Sequence, residues 1–477
     1  IYEGDNLGPF EQVSGIKMRL ARSNFSIAQL GNALFVIGGL HGNLPETSIE
    51  AIQMFGDGFI SEFQDAGQLS EPRARHVSVI VGDDVYVIGG ANSSGTLASV
   101  ERAKIAMQTS LSFSPASGFD LGEAKQDAAL AVVGNYVYVI GGFRYVSGSP
   151  TPAIFVDHAS IVEEGKLDAF ATLSGTELQI ARSQHTSMMI GNKLYVVGGI
   201  GPSGTAVGQI EVSEVREDGT IGPFSVNPNG LSMPRYGHQM FTLNNKLYVV
   251  GGTDSTGTPI PTVEVAEIFA DGVVGAFSTI GTQLQTARER FSILGGGFNA
   301  YFLGGNTAGG ATASVEYLFY TTQLNGPQSY SGGVVDARSG SAAIMLRNYA
   351  YVLGGVDGTT YRGVVRAGLD AATNGLATIF TAYVNGLATP REGHSLVYVG
   401  NTLYVVGGKT GNGNTPSIET TKVGPTSELS PFTTSTTTML QTPRTNHTTV
   451  TIGNYVYVIG GTVGSSSTKS IEVSTIR

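Results

Sequence analysis

An apolar strand ending in Gly-Gly recurs along the whole chain. Its first copy reads Leu34-Phe35-Val36-Ile37-Gly38-Gly39, and its last reads Val456-Tyr457-Val458-Ile459-Gly460-Gly461. Between them the glycine pair returns at 89–90, 141–142, 198–199, 251–252, 304–305, 354–355 and 407–408, so the pattern occurs nine times at intervals of 50 to 57 residues. A self-similar period of this size marks a propeller or a solenoid. Nine units of roughly 53 residues use up the chain, which leaves no remainder for a second domain and predicts one domain over 1–477.

The unit from Pro234 to Phe277 shows how each repeat is built. Pro234-Arg235-Tyr236-Gly237-His238 opens it. Gln239–Leu243 reads as a strand, and Asn244-Asn245 as a tight turn, because Asn tolerates positive φ. Lys246–Val250 is apolar almost throughout, as a strand covered on both faces should be. After Gly251-Gly252 comes a loop rich in Gly, Thr and Pro. An alternating strand at 262–268 follows, then an Asp-Gly turn and a short fourth strand over 273–277. Nothing carries helical periodicity. Four antiparallel strands per unit make the blade of a β-propeller.

The two ends are in phase. Glu3-Gly4-Asp5-Asn6-Leu7-Gly8-Pro9-Phe10 matches Glu217–Phe224, the approach to a fourth strand, whereas the chain ends on a third strand over 470–476. This phase predicts that residues 6–14 supply the missing outer strand of the last blade and close a single ring of nine blades, leaving no free sheet edge.

Charge and composition exclude several functions. The net charge is −10 and no Lys/Arg-rich run occurs, which argues against nucleic-acid binding and attraction to anionic lipid. No apolar run approaches the roughly 20 residues of a membrane helix. The chain has no Cys and no Trp, so thiol catalysis, disulfides and thiolate metal sites are absent. Charged residues make up 13% and glycines number 67, with Ser and Thr abundant; this composition points to an exported protein, extracellular or on a cell surface.

The Gly-Gly strand at this spacing, together with openings such as Pro72-Arg73-Ala74-Arg75-His76, Pro390-Arg391-Glu392-Gly393-His394 and Pro443-Arg444-Thr445-Asn446-His447, resembles the kelch repeat family. Kelch repeats usually carry a Trp near the end of the unit; here Phe10, Phe63, Phe170, Phe224, Phe277, Phe380 and Phe432 stand in that place, in the Gly-Pro-Phe style of repeats common in bacterial surface proteins. The resemblance implies a propeller that serves mainly as a platform for protein interaction, with a minority of enzymes. The copper oxidases of this fold use a Cys–Tyr crosslink, which a chain without Cys cannot form.

Three residue columns and one loop set are candidates for chemistry. Arg22, Arg73, Lys125, Arg182, Arg235, Arg288, Arg338, Arg391 and Arg444 share one position where the chain leads into each innermost strand. They could form an anion-attracting collar at the channel mouth. The structural alternative, favoured by their repetition, is that each bonds carbonyls or carboxylates between blades. Glu50, Glu101, Glu211, Glu264, Glu316, Glu419 and Glu472 recur in the third strands and are natural partners for that column. His76, His185, His238, His394 and His447 follow their Arg by three residues; inner strands of a wide ring hold them too far apart for a metal, so a local hydrogen-bonding role is expected. The loops after Gly-Gly vary most. Phe143, Arg144 and Tyr145 in the third repeat, with Tyr361 and Arg362 in the seventh, are the Arg/aromatic clusters typical of binding hot spots.

The sequence therefore predicts a nine-bladed, all-β propeller without catalytic residues, metal or cofactor. Its expected function is recognition or adhesion, with a protein or glycan bound through the loop face. Two alternatives are a mutarotase-like enzyme acting on a sugar at the channel mouth and a subunit that self-assembles into a surface array or filament.

Overall fold

The computed structural model describes residues 17–30, 33–53, 63–81, 84–104, 114–115, 120–146, 149–162, 166–281, 283–296, 299–320, 324–331, 333–346, 348–370, 375–424, 426–452 and 455–475. These residues contain strands and turns and no helix. The chain divides into two compact units, Ile1–Met107 and Gln108–Arg477.

The first unit holds repeats one and two. Repeat one is a four-stranded antiparallel sheet of Ser26–Leu30, Ala33–Ile37, Ser48–Gln53 and Gln64–Gln68. Repeat two pairs Val77–Val81, Asp84–Ile88 and Val100–Lys104 in that order. Ala28, Ile37, Leu69, Val85 and Val87 form the core between the two sheets.

Among the described residues the second unit holds seven four-stranded sheets. In repeat five the strands are Gln239–Leu243, Lys246–Val250, Val263–Glu267 and Ser278–Thr279, each bonded to the next. Asn244 and Asn245 turn the first hairpin at φ 50° and 55°. The fourth strand begins just after the expected stretch 273–277. That stretch contributes packing instead: Val274 is 1% exposed.

The second strand of each sheet is buried on both faces, and its side chains alternate between two neighbours. Tyr138 and Ile140 meet Leu194 and Val196. Tyr195 and Val197 meet Leu247 and Val249. Tyr248 and Val250 meet Ala300 and Phe302. Tyr301 and Leu303 meet Ala350 and Val352. Tyr351 and Leu353 meet Leu403 and Val405. Tyr404 and Val406 meet Val456 and Val458. Tyr457 and Ile459 then meet Val137 and Val139 of the first sheet of this unit. Seven cores thus link seven sheets in a cycle, as in a propeller. Burying each of these aliphatic side chains contributes about 1.5–3 kcal/mol.

Tyrosines add hydrogen bonds at several of these steps. Tyr195 Oη donates to Gly272 O at 2.9 Å and accepts from Val274 N at 3.1 Å. Tyr138 and Tyr351 donate to Gly219 and Ser427, and Tyr301 and Tyr457 accept from Leu376 and Leu167. A buried phenol needs such a partner.

The last sheet is completed within the second unit. Thr448–Ile452, Tyr455–Ile459 and Ile471–Thr475 take Ser114–Pro115 as their fourth strand, with Ser114 opposite Val473 and Pro115 opposite Glu472. The place expected for residues 6–14 is therefore filled by a segment from the boundary between repeats two and three; residues 6–14 themselves lie outside the described residues. The cycle within the second unit links seven four-stranded sheets. Every repeat boundary is in the same phase, so phase alone does not select which one closes the ring.

Candidate functional site

Each repeat leads into its first strand through the Arg position, and the column is buried: all nine cations are at most 9% exposed. Arg235 shows the arrangement. Its Nη1 donates to Gly251 O and Thr262 O, both at 2.9 Å, and its Nη2 to Glu264 Oε1 at 2.5 Å. The carboxylate of Glu264 also accepts the amides of Ser232 and Met233 at 2.7 and 3.1 Å. The same set recurs in Arg182–Glu211, Arg288–Glu316, Arg391–Glu419 and Arg444–Glu472, and in Arg22–Glu50 and Arg73–Glu101 of the first unit. Burial lowers the pKa of the five second-unit guanidinium groups, and the paired Glu counters it.

The Arg–Glu pair lies within one repeat, not between blades as expected. The bond between blades comes from the backbone of the same residue. Arg182, Arg235, Arg288, Arg338, Arg391 and Arg444 each accept, at their carbonyl, the amide of the second Gly-Gly residue of the preceding repeat, and Lys125 accepts that of Gly461. All nine side chains are covered and seven are paired with a Glu, so the column presents no open anion-attracting collar.

Two repeats depart from the pattern. In the seventh, Val365 stands opposite Val352 where a Glu is usual, and burial pushes Arg338 down to about 10. In the third, Lys125 pairs with Asp157 at 3.0 Å, both side chains being at most 1% exposed.

The histidines bond across blades rather than locally where a partner is seen. Thr186 Oγ1 lies 2.8 Å from His238 Nε2, and Ser395 Oγ lies 2.9 Å from His447 Nε2. Burial, reinforced by the neighbouring Arg, pushes His185, His238, His394 and His447 down to about 3, so these rings are neutral. Among the described residues no three His, Cys, Asp or Glu side chains gather as a metal site.

Seven of the nine loops after Gly-Gly fold into small two-stranded ribbons, and those of repeats four and five close on single bridges. Phe143–Val146 pairs with Ser149–Pro152, and Val356–Asp357 with Thr360–Tyr361. Arg144 reaches Glu123 at 2.8 Å and sits 5.2 Å from the centre of the Phe155 ring. Phe143 bridges back to Gln126, and Tyr145 pairs through its backbone with Pro150. Arg362 bonds Asp357 at 2.8 Å and Ala337 O at 3.0 Å, beside a half-buried Tyr361. Both candidate arginines are therefore held by their own repeat. The two clusters lie four repeats apart and are not brought together.

A second ring, which the sequence reading missed, lies two residues after the Arg column. Asp127, Gln184, Gly237, Arg290, Gly340, Gly393 and Asn446 all adopt left-handed φ between 50° and 65°. Their backbones form a chain of hydrogen bonds from blade to blade, beginning with Gln184 N to Asp127 O at 3.1 Å and ending with Asn446 N to Gly393 O at 2.9 Å. Glycine alternating with polar residues at one repeat position was the available signal, since only such residues take this conformation readily. Here the repeats stop being equal. Arg290, 45% exposed, approaches Glu392 to 3.9 Å across Gly340, where a methyl group would lie 3.3 Å from Glu392 Oε2. Glu289 is held by Thr253 Oγ1 at 2.6 Å. Burial raises the Asp127 carboxyl, and Arg290 partly offsets the shift.

Comparison with known proteins agrees with this repeat architecture. Residues 72–102, 234–265 and 443–473 match the Kelch motif. The chain is 26% identical over 258 residues to beta-scruin of Limulus polyphemus, covering 50% of this chain and 26% of that protein. It is 26% identical over 246 residues to Kelch repeat and BTB domain-containing protein 1 of cowpox virus (strain Brighton Red), covering 51% and 40% respectively. It therefore spans well under half the length of these relatives. The solved structure of YjhT is 16% identical, with a TM-score of 0.46, and covers 66% of this chain and 99% of that one. Three of its repeats thus carry the Kelch motif, and the chain is similar to proteins named for that repeat.

Proposed function

We propose that the chain is a non-catalytic recognition scaffold that binds a protein partner through the ribbon-bearing face of residues 120–475. One observation carries this reading. The buried cation column is spent within each repeat, on a Glu in five repeats of this unit and on Asp157 or backbone carbonyls in the other two, whereas the ring two residues further along is unequal: Asp127, Gln184, Arg290 and Asn446 stand among glycines, with Glu289 and Glu392 beside them. A rigid scaffold that displays a few unlike polar groups is suited to recognition. The paired columns offer no free acid and base for sugar chemistry. Composition supports an extracellular or surface-exposed setting.

The reading is tested with Arg290→Glu and with the double change Arg144→Ala and Tyr145→Ala. Partners captured by in situ crosslinking should be lost from Arg290→Glu while its melting temperature holds. Retained capture by both variants would overturn the proposed face. Binding on a glycan array that Arg290→Glu abolishes would move the partner class from protein to glycan. A mass well above 49.6 kDa in light scattering would point to self-assembly.

A further inference from the structure

Lys125 and Asp157 form the one buried cation–carboxylate pair among the described residues that uses lysine. Nζ lies 3.0 Å from Asp157 Oδ2, and the side chains are 1% and 0% exposed. In the Arg–Glu repeats the guanidinium cannot give up its proton, and two backbone amides hold the carboxylate. Here both features are missing. A lysine amine can lose its proton, and burial lowers the Lys125 pKa despite Asp157. The Asp157 carboxylate receives one hydroxyl, that of Thr172, at 2.6 Å on Oδ1. A methyl group on Gly122 would lie 2.0 Å from Thr172 Oγ1, so the glycine leaves room for this contact. Nζ also donates to Phe155 O at 3.0 Å, so the amine is better held than the carboxylate, and two charges buried in this site are costly.

We propose that Lys125 and Asp157 join in an intramolecular isopeptide bond. Transfer of one proton across the pair gives a free amine and a neutral carboxylic acid, with no change in total charge. Nζ attacks Asp157 Cγ, the N–C bond forms and the bond from Cγ to Oδ2 breaks. Oδ2 leaves as water, carrying the acid proton and one proton from the amine. Thr172 polarises Oδ1, the oxygen that remains in the amide. No oxidant, reductant or metal is needed, and both buried charges disappear. A small recess lined by Leu121, Lys125, Gln126, Ala128, Val139 and Gly460 lies beside the lysine. Exposed pairs such as Lys246–Glu267 are solvated and carry none of this cost of burial.

The position gives the bond a purpose. Lys125 is where the last sheet latches, through Gly461 N to Lys125 O at 3.1 Å and Lys125 N to Thr468 O at 3.3 Å. The strand that completes this sheet has only two residues. A covalent tie from Lys125 to the third strand of its own sheet would hold the latch in place.

The test is the intact mass of the purified full chain under denaturing conditions. It should be one water below the sequence mass, and a tryptic digest should contain a branched peptide joining Lys125 to Asp157. Lys125→Arg and Asp157→Ala should restore the full mass, and Thr172→Val should lower the cross-linked fraction. A wild-type chain at its full sequence mass, or a water loss that persists in Lys125→Arg, would overturn the proposal. The wild-type measurement decides the matter even if a variant fails to fold.

Discussion

The amide of Gly461 donates to the carbonyl of Lys125 at 3.1 Å, joining the last Gly-Gly pair to the third repeat. This bond repeats the Gly199-to-Arg235 bond at 2.8 Å and its equivalents, and it makes the series cyclic within residues 108–477. The second unit thus contains its own closure. Deleting residues 1–107 should leave a chain that folds and melts cooperatively, with the main calorimetric transition within a few degrees of its original position. Deleting Ser114 and Pro115 as well should lower that transition.

Glu264 neutralises a guanidinium that is 0% exposed. Removing one partner of a buried pair costs about 3–5 kcal/mol, because the other charge is left unpaired. Glu264→Ala should lose about that much in urea unfolding. Glu101→Ala should lose less, since the Glu101 side chain is 18% exposed and water can take over some of its role.

Acid should weaken the fold through its histidines. In the unfolded chain imidazoles take up protons as pH falls through 6.5, while in the folded state His185, His238, His394 and His447 stay neutral down to about 3. The unfolded state then binds more protons, so stability declines across that window. His394→Phe copies Phe291, which fills the same repeat position and is 3% exposed. It should flatten the decline, read as a smaller drop in urea midpoint between neutral pH and about pH 5.

Glycine is required at Gly198 for two reasons. Its φ is +64°, and a methyl group there would lie 2.6 Å from both Arg235 O and His238 Cε1. Gly257, at φ +82°, has nothing within 4 Å of that position. Gly257→Ala should therefore cost only the left-handed strain, about 1–2 kcal/mol. Gly198→Ala should add an overpacking cost of about 1–3 kcal/mol.

The blades were legible because the signals that make a blade are local. A double-sided apolar strand, an Asn-Asn turn and a Gly-Gly stop each specify structure within a few residues, as Lys246–Val250 shows. Which blades join in a ring was not legible. Tyr457 packing on Val137 and Tyr195 packing on Leu247 use the same chemistry, so the sequence around each does not reveal which contact is the closing one. The Arg column was readable as a column, but its bonding was divided between side chain and backbone in a way spacing does not show. The unequal ring at Asp127 and Arg290 was overlooked because its members share a backbone angle, not a side-chain type.

The two-residue strand at the seam sets how the second unit would respond to tension. Ser114 faces Val473 and Pro115 faces Glu472, running antiparallel. A pull applied just before Ser114 and just after Thr475 acts on the same end of this pair, so the contacts open in succession like a zipper instead of sharing the load. Peeling then meets Leu121, bonded to Lys469 O at 3.0 Å, and next the double contact at Lys125. A weak first event and a stronger stop a few residues later would make this seam a mechanical fuse, giving way by a short, defined length of chain before the blades themselves bear force.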